Sequence, residues 1–272
     1  ELIQEIDATL VNEVDRRLSA QLAETVKDVG SRGVNVINFG LNPDSIDNTK
    51  EFNNMVQSIP EGSKVFFPKG IYKGNFISYK SLDIDFQGST IIPTDISKPV
   101  LRFEGTEESP QNVIGNPVYG DVSFEVDDAS DLVVGDIGYL VDESVRPTDS
   151  LAGKNSEIIK IREIDGNVIM VYDKIRSNQN TGNVHFVKIN PIERPKIRNV
   201  LFDITNEHDS VVAGFVRCVD AVAENISINN SSGVGIESTL CYGFKVENVE
   251  ISEPFRTTSG KGYGVGVSKS RN

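Results

Sequence analysis

Acidic side chains cluster around a histidine in the C-terminal third of the sequence. Glu207 and Asp209 flank His208, and Asp220 and Glu237 follow at positions that we expect to lie one repeat apart. Two carboxyl groups about 5–10 Å apart can hydrolyse a glycosidic bond, one as acid and the other as base or nucleophile. Because the chain holds 40 acidic residues, an ordinary solvated loop would also produce such a cluster. The sequence therefore offers only weak catalytic candidates, namely Glu207, Asp209 and Glu237.

Cleavage of a polysaccharide by elimination would need another set of groups, a calcium-binding group of carboxylates with an arginine as base. Arg217 and Arg256 could supply the base, but no acidic trio recurs at a repeat spacing, so we expect both to pair with local acids. The two histidines and the two scattered cysteines do not form a zinc-type cluster. We expect neither a metal site nor a cofactor.

The elements that must position these side chains are repeats. Asn199, Asn225, Asn248 and Asn272 follow one another at steps of 26, 23 and 24 residues. Apolar and polar residues alternate around them, and alternating strands that return at such a step predict a solenoid of the parallel β-helix type. The asparagines would lie at corners, where an amide tolerates a left-handed turn and can hydrogen-bond to the copy above. The alternative is chance alternation in an ordinary β-sandwich.

The cysteines follow the same repeat. Cys218 and Cys241 are 23 residues apart, each seven residues before its asparagine. Neighbours stacked in this way could form a disulfide, but we favour a pair of small buried thiols. The cysteines therefore do not indicate whether the protein works in an oxidising or a reducing compartment.

Residues 1–32 predict a separate N-terminal helix. A narrow apolar stripe recurs there at steps of three and four residues: Ile3, Ile6, Leu10, Val14, Leu18, Leu22 and Val26. Such a stripe needs a partner, which is either the protein's own domain or copies of the same helix in a coiled coil. We favour the coiled coil, although nothing in the stripe fixes the number of copies.

Three further parts follow the helix. Residues 33–114 contain Asp47–Thr49, which can cap a short helix, and then alternating strands, so they predict the start of the β-helix and its first coils. Residues 115–188 predict antiparallel strands, including a hairpin across Asp165-Gly166, and hence a small barrel or sandwich inserted into the solenoid. Residues 189–272 predict the remaining coils.

Composition limits the partners. The chain has 272 residues and a formal net charge of −13, which argues against nucleic acid, since a phosphate backbone would be repelled. No apolar run is long enough for a membrane span, and nothing at the start is typical of a signal peptide. Because the chain starts at Glu1 and stops at the corner residue Asn272, we expect it to be part of a longer protein.

One stretch carries a family resemblance. The segments VNVINFG, DNTKEFNNMV and GSKVFFPKGIY resemble the N-terminal segment of pectate-lyase-like right-handed parallel β-helices in phage tailspikes and tail appendages of the preneck type. The matching positions are Phe39-Gly40, Asp47-Asn48-Thr49, Val65, Phe67-Pro68, Gly70 and Tyr72. The departures are residues 41–45, where the family has a Gly-Asp-Gly turn, and Asn48, where it has a second Asp.

The resemblance implies a function. It suggests the N-terminal part of a homotrimeric tailspike or tail appendage in the virion tail, which binds other tail proteins through its stem. Its β-helix would recognise a host cell-wall or capsular polysaccharide. One alternative is a polysaccharide depolymerase, a hydrolase or lyase of the same architecture, with an active site beyond residue 272. A second alternative is a secreted, monomeric polysaccharide lyase.

Overall fold

The computed structural model describes residues 33–142, 155–176, 183–204, 208, 210–231, 233–252 and 263–271. Several predicted residues lie outside this part of the chain: the stem stripe Ile3, Ile6, Leu10, Val14, Leu18, Leu22 and Val26, and also Glu207, Asp209, Arg256 and Asn272.

Two parallel sheets form the main body, with strands numbered in chain order. The larger sheet contains β1 (Val34–Asn35), β2 (Ser63–Phe66), β3 (Ile71–Lys73), β5 (Leu82–Ile92), β14 (Ile192–Glu193), β15 (Lys196–Asp203), β17 (Cys218–Asn229) and β19 (Tyr242–Ser252). The smaller contains β4 (Phe76–Ser78), β6 (Leu101–Glu104), β16 (Val211–Val216), β18 (Val234–Thr239) and β20 (Tyr263–Ser268). The chain passes from one sheet to the other and back, and each such passage is called a coil below.

Successive coils stack in register, which is why the sequence repeats. Residues at equal offsets from Asn225 and Asn248 are direct partners of β17 and β19: Ala223/Val246, Ile226/Val249 and Ile228/Ile251. Alternate residues of these strands point inward, so apolar side chains of both sheets meet in one core. Burial of this shared surface is the main stabilising contribution.

One short helix covers the first coils. A 3₁₀ turn (Val36–Phe39) follows β1, and α1 (Thr49–Ser58) buries Phe52, Met55 and Val56 against the core. The cap is provided by Asp47, whose Oδ1 accepts hydrogen bonds from the backbone N (2.9 Å) and Oγ1 (2.6 Å) of Thr49. Asp47, one residue before the N-cap Asn48, thus satisfies the first backbone N–H of the helix.

An antiparallel barrel interrupts the coils. Its strands are β8 (Gln111–Ile114), β9 (Ser123–Val126), β10 (Ile137–Asp142), β11 (Asn155–Asp165), β12 (Val168–Val171) and β13 (Val184–Asn190), with β7 (Thr106–Glu107) beside β13. Pairing of β10 with β13 closes the barrel, and it has an apolar core of its own. The antiparallel strands extend from Thr106 to Asn190, beyond both ends of the 115–188 range expected from the sequence. The sequence did not indicate the earlier start, because β7 and β8 are too short to show an alternating pattern.

The asparagines form a hydrogen-bonded ladder. Asn199, Asn225 and Asn248 have φ values of 58°, 54° and 51°, in the left-handed region. Asn248 Nδ2 donates to Asn225 Oδ1 and Asn225 Nδ2 donates to Asn199 Oδ1, each at 3.0 Å. Asn199 Nδ2 donates to Oδ1 of Asp85 at 2.9 Å, so a carboxylate on β5 ends the ladder.

The two cysteines are free and buried in neighbouring coils. Cys218 Sγ donates to the carbonyl of Val216 at 3.4 Å, and Cys241 Sγ donates to that of Phe215 at 3.3 Å. Burial raises the pKa of the Cys218 thiol. Of the alternatives left by the sequence, the structure has the buried thiol pair.

None of the helices in the described ranges combines the length and the apolar character that crossing a membrane requires.

Candidate functional site

The described carboxylates that the sequence singled out lie on different sheets. Glu237 is on β18, on the outer face of the smaller sheet, where it pairs with Gly214 on one side and Gly266 on the other. Asp220 is on β17 of the larger sheet, at a left-handed corner with a φ of 50°. The structure therefore does not bring Asp220 and Glu237 together as a catalytic pair.

A cleft of about 550 Å³ lies between the barrel and the coils. Three adjacent barrel strands form one wall. Val141 of β10 pairs with Ser156 of β11 and with His185 of β13, so these three side chains make one row on the outside of the barrel. Tyr139 and Val187 make the next row. These five residues all line the cleft.

The opposite wall is built from coil corners. Leu240 and Lys269 lie in successive coils with φ values of 53° and 54°, and Arg217 occupies the corresponding corner one coil earlier with a φ of 53°. A left-handed backbone costs about 1 kcal/mol or more for such residues, and strain of this kind is often kept where a side chain must point in a particular direction. Leu240 and Lys269 line the cleft.

A charged network joins the two walls. Glu107 accepts hydrogen bonds from Arg217 Nε (2.9 Å), Arg217 Nη2 (2.6 Å) and the Tyr139 hydroxyl (3.1 Å). Arg217 also lies 3.6 Å from the carboxylate of Glu104, so it pairs with local acids. Since the Glu107 carboxylate already accepts three hydrogen bonds, its role is to hold Tyr139 and Arg217 at the floor of the cleft.

A second ion pair stands beside the cleft. Lys188 Nζ lies 3.1 Å from Asp136 and 3.7 Å from Glu108. Burial opposes the charge on Lys188, but these two carboxylates together raise its pKa. Lys188 therefore stays charged, and its two ion pairs stabilise this side of the cleft wall.

Two polar atoms in the barrel wall lack protein partners. Nδ1 of His185 and Oγ of Ser156 are inaccessible to solvent and have no hydrogen-bond partner among the described residues. Leaving a buried donor or acceptor unpaired costs about 1–3 kcal/mol, so native proteins seldom retain one without a reason. Both residues belong to the row that lines the cleft, although these two atoms are themselves covered by protein.

The barrel is fixed to the coils next to this cleft. Ile137, Ile158 and Ile189 of the barrel pack with Val219 and Tyr242 of the coils.

Arg271, with a side chain only 2% exposed, reaches from the last described coil to the barrel, 3.1 Å from both Glu157 and Asp173. Tyr242 donates its hydroxyl to the same Asp173 at 3.2 Å. The cleft walls are therefore held in a fixed relation, which preorganises a binding site.

A further concavity of about 550 Å³ is acidic. It lies beside β14 and is lined by Glu61, Ser81, Asp83, Glu193 and Arg194. Its acids are partly engaged: Glu61 accepts from the Ser81 backbone N at 2.6 Å, and Asp83 lies 3.3 Å from Arg198. Among the described residues, no group of three or more acids, histidines or cysteines is arranged to hold a metal ion.

Sequence reasoning missed the cleft. His185 was considered only as a metal ligand, and Tyr139, Ser156 and Glu107 carried no motif. The available signal was the alternation Val184-His185-Phe186, which places a histidine on the outer face of an inserted strand. That pattern does not reveal that this face is turned toward the coils.

Comparison with solved structures gives the class of this fold. Tailspike gp49 of Pseudomonas phage LKA1 superposes with a TM-score of 0.61 at 17% identity, over 79% of this chain and 46% of that one. Tailspike gp61 of Pseudomonas phage phi297 gives 0.57 at 13%, over 80% and 48%. Tailspike gp54 of Acinetobacter baumannii bacteriophage AP22, solved in complex with capsular saccharide, gives 0.53 at 16%, over 90% and 47%. The chain thus has a tailspike-like fold.

The chain spans about half the length of each of these tailspikes. No protein-family model and no curated protein matches the sequence.

Proposed function

We propose that this chain is the N-terminal part of a phage tailspike or tail appendage, and that it contributes to recognition of a host cell-surface polysaccharide. The tailspike-like fold carries the proposal, and the barrel–coil cleft supports it. One of the similar tailspikes was solved with a capsular saccharide. A rigid cleft lined by Tyr139, Ser156 and His185 among apolar side chains is suited to a hydroxyl-rich ligand.

We infer that the two parallel sheets are faces of a right-handed, pectate-lyase-like β-helix. The stacking of apolar partners and the asparagine ladder support this inference. The stem stripe of residues 1–32 would join three copies, place the protein in the virion tail and bind other tail proteins.

The cleft is tested with variants of the full chain. We expect a panel of purified bacterial capsular and cell-wall polysaccharides to include one that binds, as measured by microscale thermophoresis. His185→Ala and Ser156→Ala should weaken that binding about fivefold each, since each removes a polar side chain from the cleft wall, a change of about 1 kcal/mol. Glu163→Ala, an exposed barrel residue outside the cleft, is the control. Unchanged binding by both cleft variants would overturn the cleft assignment.

The second candidate function is a depolymerase. The cleft places the phenol of Tyr139 and the imidazole of His185 in one wall, and both groups can transfer a proton. Incubating the bound polymer with the chain and separating the products by size decides between the two. Release of oligosaccharides supports cleavage, whereas binding without release supports recognition alone.

The oligomeric state separates both candidates from a secreted, monomeric lyase. Light scattering at micromolar concentration should give three times the mass of one chain, and a variant that lacks residues 1–32 should give a smaller assembly. A monomer in both samples contradicts the trimeric stem.

A further inference from the structure

A second groove lies at the other side of the molecule, between helix α1 and strand β4. Its volume is about 380 Å³, within the range typical of small-ligand sites. The residues that line it are Thr49, Asn53, Val56, Gln57, Asn75, Ile77, Tyr79 and Lys98. It shares no lining residue with the barrel–coil cleft.

The helix side of the groove carries free amides. Asn53 and Gln57 are four residues apart and therefore neighbours on one helix face. Both side chains are exposed, and neither has a hydrogen-bond partner among the described residues. Each amide offers two donor hydrogens and an acceptor oxygen.

The strand side carries an aromatic ring. Ile77 and Tyr79 follow the outward alternation of β4, whose other residues Phe76 and Ser78 are fully buried. Tyr79 is 65% exposed. A tyrosine ring presents a flat apolar face with a polar tip, which suits a ligand that is apolar on one side and wet on the other.

The two sides are held at a fixed distance. The rings of Phe52 on α1 and Phe76 on β4 pack with their centroids 4.8 Å apart. Lys80, directly after Tyr79, donates from Nζ to the carbonyls of Gln57 (3.1 Å) and Ile59 (3.0 Å) at the end of the helix. The exposed ring therefore projects from a backbone that does not need to be ordered on binding.

The groove has no unpaired charge among its described residues. Its one charged residue, Lys98, lies 3.0 Å from Asp95. Hydrogen bonds from Ser97 and Lys98 lower the pKa of Asp95 to about 2, so this carboxylate stays ionised and the pair stays neutral. The groove therefore offers a ligand no unpaired counter-charge among its described lining residues.

We propose that this groove binds a neutral saccharide, with the C–H face of a pyranose ring against Tyr79 and its hydroxyls hydrogen-bonded to Asn53 and Gln57. Sugar hydroxyls both donate and accept, as amides do, and one pyranose face is apolar. The proposal adds a second glycan site to the proposed function and depends on it only for the class of ligand. A charged peptide or an anionic sugar lacks a counter-charge here.

The experiment uses the full chain and ligand-observed saturation-transfer NMR. The probes are cellotetraose, maltotetraose, laminaritetraose and chitotetraose, with trigalacturonic acid as the anionic comparison. We expect at least one neutral probe to bind, with an affinity that 0.5 M NaCl leaves unchanged. Tyr79→Ala should reduce the affinity at least tenfold, and Asn53→Ala and Gln57→Ala about fivefold each.

Each control variant alters a residue of the same type as one in the groove, at a position that does not line it. Asn54→Ala alters the exposed neighbour of Asn53, and Tyr119→Ala removes a tyrosine that is 72% exposed on the barrel. Both should bind as the unaltered chain does. Absence of binding by every neutral probe, binding that survives Tyr79→Ala, or salt-sensitive binding of trigalacturonic acid alone would each overturn the proposal.

The two proposed glycan sites can be tested independently of each other. If His185→Ala abolishes polysaccharide binding and Tyr79→Ala has no effect on any probe, the cleft stands and the groove does not. If Tyr79→Ala abolishes binding of the probes and His185→Ala has no effect on polysaccharide binding, the groove is supported and the cleft assignment is contradicted.

Discussion

At the scale of single residues, the asparagine ladder explains why a polar side chain recurs at the same corner of successive coils. Each asparagine occupies a left-handed corner, and its side-chain amide hydrogen-bonds to the asparagine of the neighbouring coil. Asp85 ends the ladder with a charge, and Arg198 lies 3.2 Å from its Oδ2. A carboxylate accepts stronger hydrogen bonds than an amide oxygen does, so the end of the ladder should be its most stabilising position.

The ladder makes stability depend on pH. Burial alone would raise the pKa of Asp85, but hydrogen bonds from Asn199, Gln87 and Arg198 lower it below its ordinary value. A lowered pKa contributes stability that is present above the unfolded pKa, near 4, and is lost as the pH falls through the folded value.

We expect Asp85→Asn to reduce the free energy of unfolding by about 1–2 kcal/mol at pH 7. The difference from the unaltered chain should shrink as the pH falls below 4, through the lowered pKa of the folded state. Urea titrations at pH 7, 5, 4 and 3 measure it. Asp131→Asn, at an exposed turn of the barrel, should cost nothing at any of these pH values. A constant difference between Asp85→Asn and the unaltered chain would contradict the charge argument.

At the scale of elements, closure of the barrel depends on one glycine. Gly138 lies on β10 at the seam with β13, where an added Cβ would lie 2.3 Å from Cε2 of Phe186 and 2.6 Å from the carbonyl of Val187. Phe186 fills the barrel core. Any side chain at this position must therefore displace the ring or open the seam.

Gly138→Ala should cost about 2–3 kcal/mol, the usual range for overpacking a core. Gly166, in the Asp165-Gly166 turn, has a φ of 58° and open space around it. Gly166→Ala should cost only about 1 kcal/mol, through backbone strain. Thermal unfolding followed by circular dichroism compares the two. Equal stability of both variants would show that the seam can relax.

Sequence reasoning found elements whose signals are local. The coils followed from a 23-residue step shared by asparagines and cysteines, and the hairpin from Asp165-Gly166. It did not find the end of the ladder, because that coil has no asparagine: Asp85 takes its place and bonds to a strand 113 residues later. The cleft was missed for the same reason: it forms where barrel strands meet coil corners, and no periodicity describes that contact.

At the scale of the whole molecule, docking of the barrel depends on the buried arginine Arg271. Arg271→Met removes the cation that lies 3.1 Å from both Glu157 and Asp173. We expect a loss of about 3 kcal/mol, because removing one member of a largely buried ion pair is strongly destabilising. Hydrogen exchange should rise in β10 and β19, and polysaccharide binding in the cleft should weaken.

Lys245→Met is the matched control. Lys245 pairs with Glu247 at 2.7 Å, but its side chain is 62% exposed. Surface pairs of this kind contribute about 0–1 kcal/mol, so the control should retain its hydrogen exchange and its binding. If Arg271→Met behaves as the control does, the apolar contact alone holds the barrel.

The two ends of the inserted barrel lie side by side, since Thr106 pairs with Asn190 and Glu107 with Ile189. This has a consequence for the order of folding. If the inserted chain were still unfolded, pairing β5 with β15 would close a loop of about 113 residues, at an entropic cost of roughly 4 kcal/mol. A barrel that has already folded leaves only residues 93–105 and 191–195 between the two strands and the joined barrel ends. We therefore expect the barrel to fold first, and the parallel sheets on either side of it in the chain to pair afterwards.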